Sequence, residues 1–162
     1  MSDIALVTMG GTIDKDYFDA LSEYQVAETL IPNLIGRIGC DLEIETHEVC
    51  RKDSLEVTED DRMRLKQLVE SLSTVKVLVT HGTDTMVDTA RFLGNIPGKV
   101  VVFTGAMRPS RFSDTDALFN VGVALGALRS QEEGVFVAMS GQVFEPHNVV
   151  KNRDKKRFEL GQ

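Results

Sequence analysis

Hydroxyls, carboxylates and glycines gather at four places in this 162-residue sequence. Thr8-Met9-Gly10-Gly11-Thr12, Thr80-His81-Gly82-Thr83-Asp84-Thr85, Thr104-Gly105-Ala106-Met107-Arg108 and Ser140-Gly141 each close a short apolar run. A turn needs a glycine and a helix start needs one capping side chain. The stretch from His81 to Thr85 carries more than that. Adjacent glycines let main chain approach a ligand closely and present N–H groups to an anion. A threonine hydroxyl beside such donors can act as a nucleophile if a base takes its proton. Aspartate, lysine and tyrosine are present to move that proton.

Other chemistries fit these residues less well. The segment Gly10–Asp16 has no Gly-Lys-Ser/Thr at phosphate-loop spacing and is not GxGxxG. His47, His81 and His147 are scattered without metal-ligand spacing, and His81 reads as a locally bonded strand-end residue. No GxSxG elbow occurs. No metal or other cofactor is expected.

These residues need elements to position them. Apolar runs at Ile4–Val7, Val75–Val79, Val100–Phe103 and Val135–Met139 read as strands, and Leu42–Val49 alternates apolar and polar as a half-exposed strand would. Helical patterns lie between them, at Glu28–Ile38, from Thr58 through Leu72, at Asp84–Leu93 and at Asp116–Leu128. Thr58 with Asp61 three residues on resembles a capping box, and Thr115 or Asp116 reads as a helix cap. Alternating βα units imply a doubly wound, mostly parallel α/β sheet with helices on both faces, flavodoxin-like or Rossmann-like. An extra strand pair around Val143 and Val149-Val150 adds a C-terminal hairpin. Ligands of such sheets bind in the crevice at the carboxyl ends of the strands, so all four polar clusters are expected to converge there. Gly11–Glu23 is aperiodic and charged, and reads as a loop able to act as a lid.

Composition narrows the partners. A net charge of −7 argues against nucleic-acid and anionic membrane surfaces. Lys151–Arg157, the most basic stretch, reads as a solvated segment. Cys40 and Cys50 lack CxxC spacing and suit a reducing compartment, and the N-terminus does not read as a signal peptide, so a cytoplasmic protein is expected.

Gly10-Gly11-Thr12-Ile13, His81-Gly82-Thr83-Asp84-Thr85 and Gly105-Ala106-Met107-Arg108-Pro109, in this order, resemble the bacterial-type L-asparaginase (asparaginase/glutaminase) family. The resemblance spans nearly the whole chain but only the family's N-terminal domain. Residues 1–162 are therefore expected to form a single N-terminal-type catalytic domain without the usual C-terminal one. What the resemblance implies is specific. Thr12 matches the nucleophile and Tyr24 the loop tyrosine that assists it. Thr83, Asp84 and Lys151 match the threonine, aspartate and lysine of the second cluster. Ser54 matches the serine that holds the substrate's α-carboxylate, and Ala106 the residue whose carbonyl faces the leaving amide. Main-chain N–H groups near Gly11 and Gly82 are candidates for the oxyanion and the carboxylate. Leu55, followed by Glu56, stands where the family usually has a polar residue.

The implied activity is hydrolysis of L-asparagine to L-aspartate and ammonia through a threonine acyl-enzyme. Weak affinity is expected, because the family completes each site from a neighbouring subunit's C-terminal domain. Either Tyr24 or the Thr83–Lys151 pair can receive the Thr12 proton. A homo-oligomer is expected. The alternatives are a non-catalytic amino-acid-binding module and an ammonia-supplying amidotransferase component.

Overall fold

The computed structural model describes residues 1–162. Its centre is a six-stranded sheet built from β1 (Ile4–Gly10), β4 (Ile44–Lys52), β5 (Lys76–Thr80), β6 (Val100–Thr104), β7 (Gly134–Met139) and β8 (Gln142–Phe144). The spatial order is β4-β1-β5-β6-β7-β8, all parallel except the β7–β8 pair. The helices are α1 (Ile31–Arg37), α2 (Glu59–Ser71), α3 (Met86–Leu93) and α4 (Ala117–Ser130).

The alternation of side chains along each strand divides the core into two layers. Ala5, Val7 and Met9 of β1, with Val77, Val79, Val101 and Phe103, meet Leu65 and Val69 of α2 and Met86, Ala90 and Leu93 of α3. Ile4, Leu6, Leu78 and Val102 face the other way, against Ile31 and Ile35 of α1 and Val121, Ala124 and Leu128 of α4. Helices thus cover both faces, and every residue of β1, β6 and most of β5 is buried, as all-apolar parallel strands require. Full burial of each large aliphatic side chain contributes about 1.5–3 kcal/mol.

Local signals set the element ends. Thr58 Oγ1 accepts from Asp61 N–H while the Asp61 carboxylate accepts from Thr58 N–H, which completes the expected capping box of α2. The helix expected from Glu28 begins at Ile31 with Pro32 in its first turn, where a missing N–H costs nothing. The helix expected from Asp84 begins at Met86, because Thr83 to Thr85 form a turn.

Three expectations are corrected. Gly11–Glu23 is not an irregular loop: a 3₁₀ turn at Thr12–Asp14 leads into a hairpin of β2 (Lys15–Phe18) and β3 (Glu23–Val26). Ser140 and Gly141, read as a polar strand end, are a hairpin turn; both have positive φ, and they connect β7 to its antiparallel partner β8. Val143 and Val149-Val150 do not pair with each other. Val143 belongs to β8, whereas β9 (Val149–Asn152) pairs with β10 (Arg157–Leu160) in a separate C-terminal hairpin whose turn is the basic stretch.

Asp14, at the foot of the β2–β3 hairpin, is buried with its Oδ1 unpartnered. Burial pushes its carboxyl up to about 6, although a hydrogen bond with Thr29 and the charges of Arg111 and Arg51 pull it down; Glu48 pushes the same way as burial. Below the ordinary carboxylate range the group is protonated in both folded and unfolded chains. As pH rises through about 6 the fold must hold a buried charge, and stability is lost. Asp14→Asn is expected to stabilise the protein at about pH 8 by on the order of 2 kcal/mol and hardly at all at about pH 4. Thermal melts of the two proteins at both pH values check this.

Candidate active site

In the strand order, β1 connects outward to β4 on one side, and the chain then crosses to β5 on the other side of β1. The crevice between the ends of β1 and β5 is the switch point where open α/β sheets bind ligands. Here Gly11, Thr12, Lys15, Asp53, Ser54, Leu55, Glu56, Gly82, Thr83 and Asp84 line a cleft of about 390 Å³. Of the nine residues expected at the site, Gly11, Thr12, Ser54, Gly82, Thr83 and Asp84 line it.

Close main-chain packing forms the floor. Gly11 has φ +89, and a Cβ there would lie 2.4 Å from the N and Cα of Gly82. A Cβ on Gly82 would lie 2.5 Å from the Cβ of Ser54. Three loops, from β1, β4 and β5, therefore touch at atoms that leave no room for a larger residue. Ser54 secures the contact: its Oγ accepts from Asp84 N–H at 3.2 Å, and its carbonyl accepts from Thr85 Oγ1 at 2.6 Å.

Behind the cleft, β9 delivers Lys151. Its Nζ donates to Thr83 Oγ1 and to Asp84 Oδ1, each at 2.8 Å. The hydrogen bond from Lys151, with the charges of Lys151 and Arg153, holds the Asp84 carboxyl below its ordinary value, against the effect of partial burial. Arg153, in the stretch read as merely solvated, stands 3.5 Å from the same Asp84 oxygen. Thus Lys151 lines a neighbouring depression rather than the main cleft, and reaches the site through Thr83 and Asp84.

His81 is fully buried beneath the β5 loop. Its Nδ1 lies 2.8 Å from Gly82 O, which can only accept, so that nitrogen carries the proton. Its Nε2 accepts from Thr89 Oγ1 at 2.8 Å, and Thr89 accepts from Arg62 Nε. Burial, aided by Arg62, lowers the imidazole to about 4, so it is neutral at physiological pH and holds the Gly82 carbonyl in place.

Two other expected residues are not among those that line the cleft. Tyr24 is half exposed on β3, its ring tilted against Tyr17 at a centroid distance of 5.2 Å and edge-on to Phe112 at 5.8 Å. Ala106 is buried in the core layer beneath α4. The expected convergence of all four polar clusters is also corrected. Strands lie roughly 4.8 Å apart, so β6 and β7 end progressively farther from the switch point. Their hydroxyls serve the fold: Thr104 Oγ1 donates to Ala138 O, and Ser140 Oγ accepts from Phe158 N–H. Asp116 stands at the N-cap of α4 but makes no side-chain cap there. Its carboxylate instead accepts from the N–H groups of Met107 and Arg108 and from Asn120 Nδ2. Thr115 Oγ1 accepts from Ala117 N–H at the start of the helix.

Several residues of the site were not singled out from sequence. Lys15 and Asp53 form an ion pair of 2.7 Å at the cleft. Arg111 ties the hairpin down, donating to the carbonyls of Asp14 and Glu28 and pairing with Asp16. Their only sequence signal was adjacency to Thr12, Ser54 and the Gly105–Pro109 motif. No three His, Cys, Asp or Glu side chains are grouped so as to hold a metal ion.

Residues 3–159 match the family model described as asparaginase, N-terminal. The chain belongs to the asparaginase family. Its relatives include L-asparaginase 2 of Escherichia coli, 30% identical over 93% of this chain and 47% of that protein. A glutaminase-asparaginase of Acinetobacter glutaminasificans is 32% identical over 68% of this chain and 34% of its own length. The thermostable L-asparaginase from Thermococcus kodakarensis shares the fold, with a TM-score of 0.82 at 23% identity over 97% of this chain and 50% of that one. This asparaginase-family chain thus spans about half the length of the relatives it matches or less. None of its helices is long and apolar enough to cross a membrane.

Proposed function

We propose that this chain hydrolyses the side-chain amide of L-asparagine to L-aspartate and ammonia, with L-glutamine as a poorer substrate. The observation that carries this reading is Lys151 Nζ held 2.8 Å from both Thr83 Oγ1 and Asp84 Oδ1, beside the cleft that Thr12 lines. An amino-acid amide has a carboxylate, an ammonium and a carboxamide, and the cleft offers a complement for each. The ionised Asp84 suits the ammonium, the Ser54 hydroxyl suits the carboxylate, and Thr12 faces the space between.

In this scheme Thr12 Oγ adds to the amide carbon as its proton passes to a base. The C–N bond then breaks, ammonia leaves with a proton, and water cleaves the resulting ester. Main-chain N–H groups at Gly11-Thr12 and Gly82-Thr83 are the donors for the oxyanion; each such donor is worth about 3 kcal/mol of barrier. Between the two candidate proton routes, the Thr83–Lys151 pair is supported by its position at the cleft. Tyr24 lies outside the cleft lining, packed against Tyr17 and Phe112.

The position of Tyr24 outside the cleft lining favours a second reading, a module that binds the amino acid without cleaving it through residues such as Ser54 and Asp84. Ammonia release separates the two. Wild-type protein is expected to release ammonia from asparagine, and more slowly from glutamine, over micromolar to high-millimolar substrate. Saturable binding with no ammonia would leave only the binding module. The same reading includes a reducing compartment, supported by free Cys40 and Cys50, and self-association, supported by exposed Leu118, Phe119 and Val143.

A further inference from the structure

The cleft contains one cationic side chain among its lining residues. Asp53, Glu56 and Asp84 are its acids and Lys15 is its base. Lys15 follows the 3₁₀ turn at Thr12–Asp14, and its N–H donates to Thr12 O. Side chains three residues apart eclipse in a 3₁₀ turn, so Thr12 and Lys15 project to the same side. The Lys15 side chain is 23% exposed, and its ammonium pairs with the half-exposed Asp53, the residue before Ser54. The cleft thus holds a cation on its Asp53–Ser54 flank, and it also holds the Asp84 carboxylate.

An amino-acid substrate brings its own carboxylate to this flank. We propose that Lys15 receives the α-carboxylate of the substrate together with Ser54, and that Asp53 occupies Lys15 until the substrate displaces it. This rests on the amino-acid-amide reading above and adds a selector for a free α-carboxyl group. The ammonium would then tie the β2–β3 hairpin, and with it Thr12, to a correctly charged ligand. Asp53 acts as an internal competitor, so removing it should help the substrate, whereas removing Lys15 should harm it. A purely structural latch cannot give opposite signs, because either substitution breaks it equally.

The test compares wild type, Lys15→Gln, Lys15→Arg and Asp53→Asn on L-asparagine and on L-asparaginamide, which has no α-carboxylate. Calorimetric binding of both compounds is measured alongside ammonia release. Lys15→Gln is expected to raise KM and Kd for asparagine by about 10- to 100-fold, the loss of one charge-assisted hydrogen bond, with kcat little changed. Lys15→Arg should recover most of that loss, Asp53→Asn should lower KM, and asparaginamide should bind wild type and Lys15→Gln alike. If Lys15→Gln and Asp53→Asn shift asparagine binding in the same direction, or asparaginamide loses as much as asparagine, the proposal is overturned. Absence of measurable asparagine binding to wild type overturns it too. Binding that responds with the expected opposite signs, but without ammonia release, upholds the role of Lys15 and refutes hydrolysis instead.

Discussion

Thr12→Ala is expected to release no ammonia from asparagine above the uncatalysed background while melting at the wild-type temperature. Thr12 is partly exposed at the end of β1, so removing its Oγ and methyl costs little folding energy, within about 0.5 kcal/mol for a surface position. The chemistry loses everything that depends on the acyl-enzyme, because no other hydroxyl occupies that position. Thr83 also lines the cleft, but its oxygen is already engaged by Lys151. Loss of a nucleophile in such an acyl-transfer site lowers kcat by on the order of 10⁴-fold or more. Steady-state ammonia assays with parallel thermal melts check both halves. Wild-type turnover in the variant would remove Thr12 from the mechanism.

The second large effect is expected for Lys151→Met. Lys151 bonds Thr83 and neutralises Asp84 from behind. On the proposed mechanism its removal breaks the Thr83–Lys151 proton route, a contribution of about 10²- to 10⁴-fold in kcat for a positioned acid–base group. It should also move the acid limb of kcat/KM. Asp84 must be ionised to receive the substrate ammonium, and Lys151 depresses its pKa. Wild type therefore keeps this interaction to lower pH than an ordinary carboxylate would allow, and loses it as pH falls through the depressed value. Without Lys151 the limb should shift to higher pH. A pH–rate profile with an unmoved acid limb would separate Asp84 from substrate binding.

Most of the sheet was legible in sequence because its central strands are largely apolar: Val77–Val79 and Val100–Phe103 are buried on both faces. The floor of the cleft was legible for a similar reason, since Gly11 and Gly82 belong to motifs with more glycine and hydroxyl than turns require. The hairpin at Lys15–Val26 was not. Its strands are charged, short and half exposed, so neither period-2 burial nor a turn dipeptide marks them. Equally obscure was the division of labour among hydroxyls. Thr104 and Ser140 follow apolar runs just as Thr12 does, and only the strand order reveals that they end away from the switch point. Arg153 read as part of a solvated segment and Lys15 carried no signal of its own, because their partners, Asp84 and Asp53, are remote in sequence.

The contact among Gly11, Gly82 and Ser54 bears on how this cleft can diversify. Its base is made of backbone atoms already at contact distance, so even one added methyl there would push two loops apart. On the proposed function, variation in substrate preference is therefore expected along the rim, at the exposed Asp53, Leu55 and Glu56 and the partly exposed Lys15. A library confined to those four positions would explore new amides while leaving the nucleophile's support untouched.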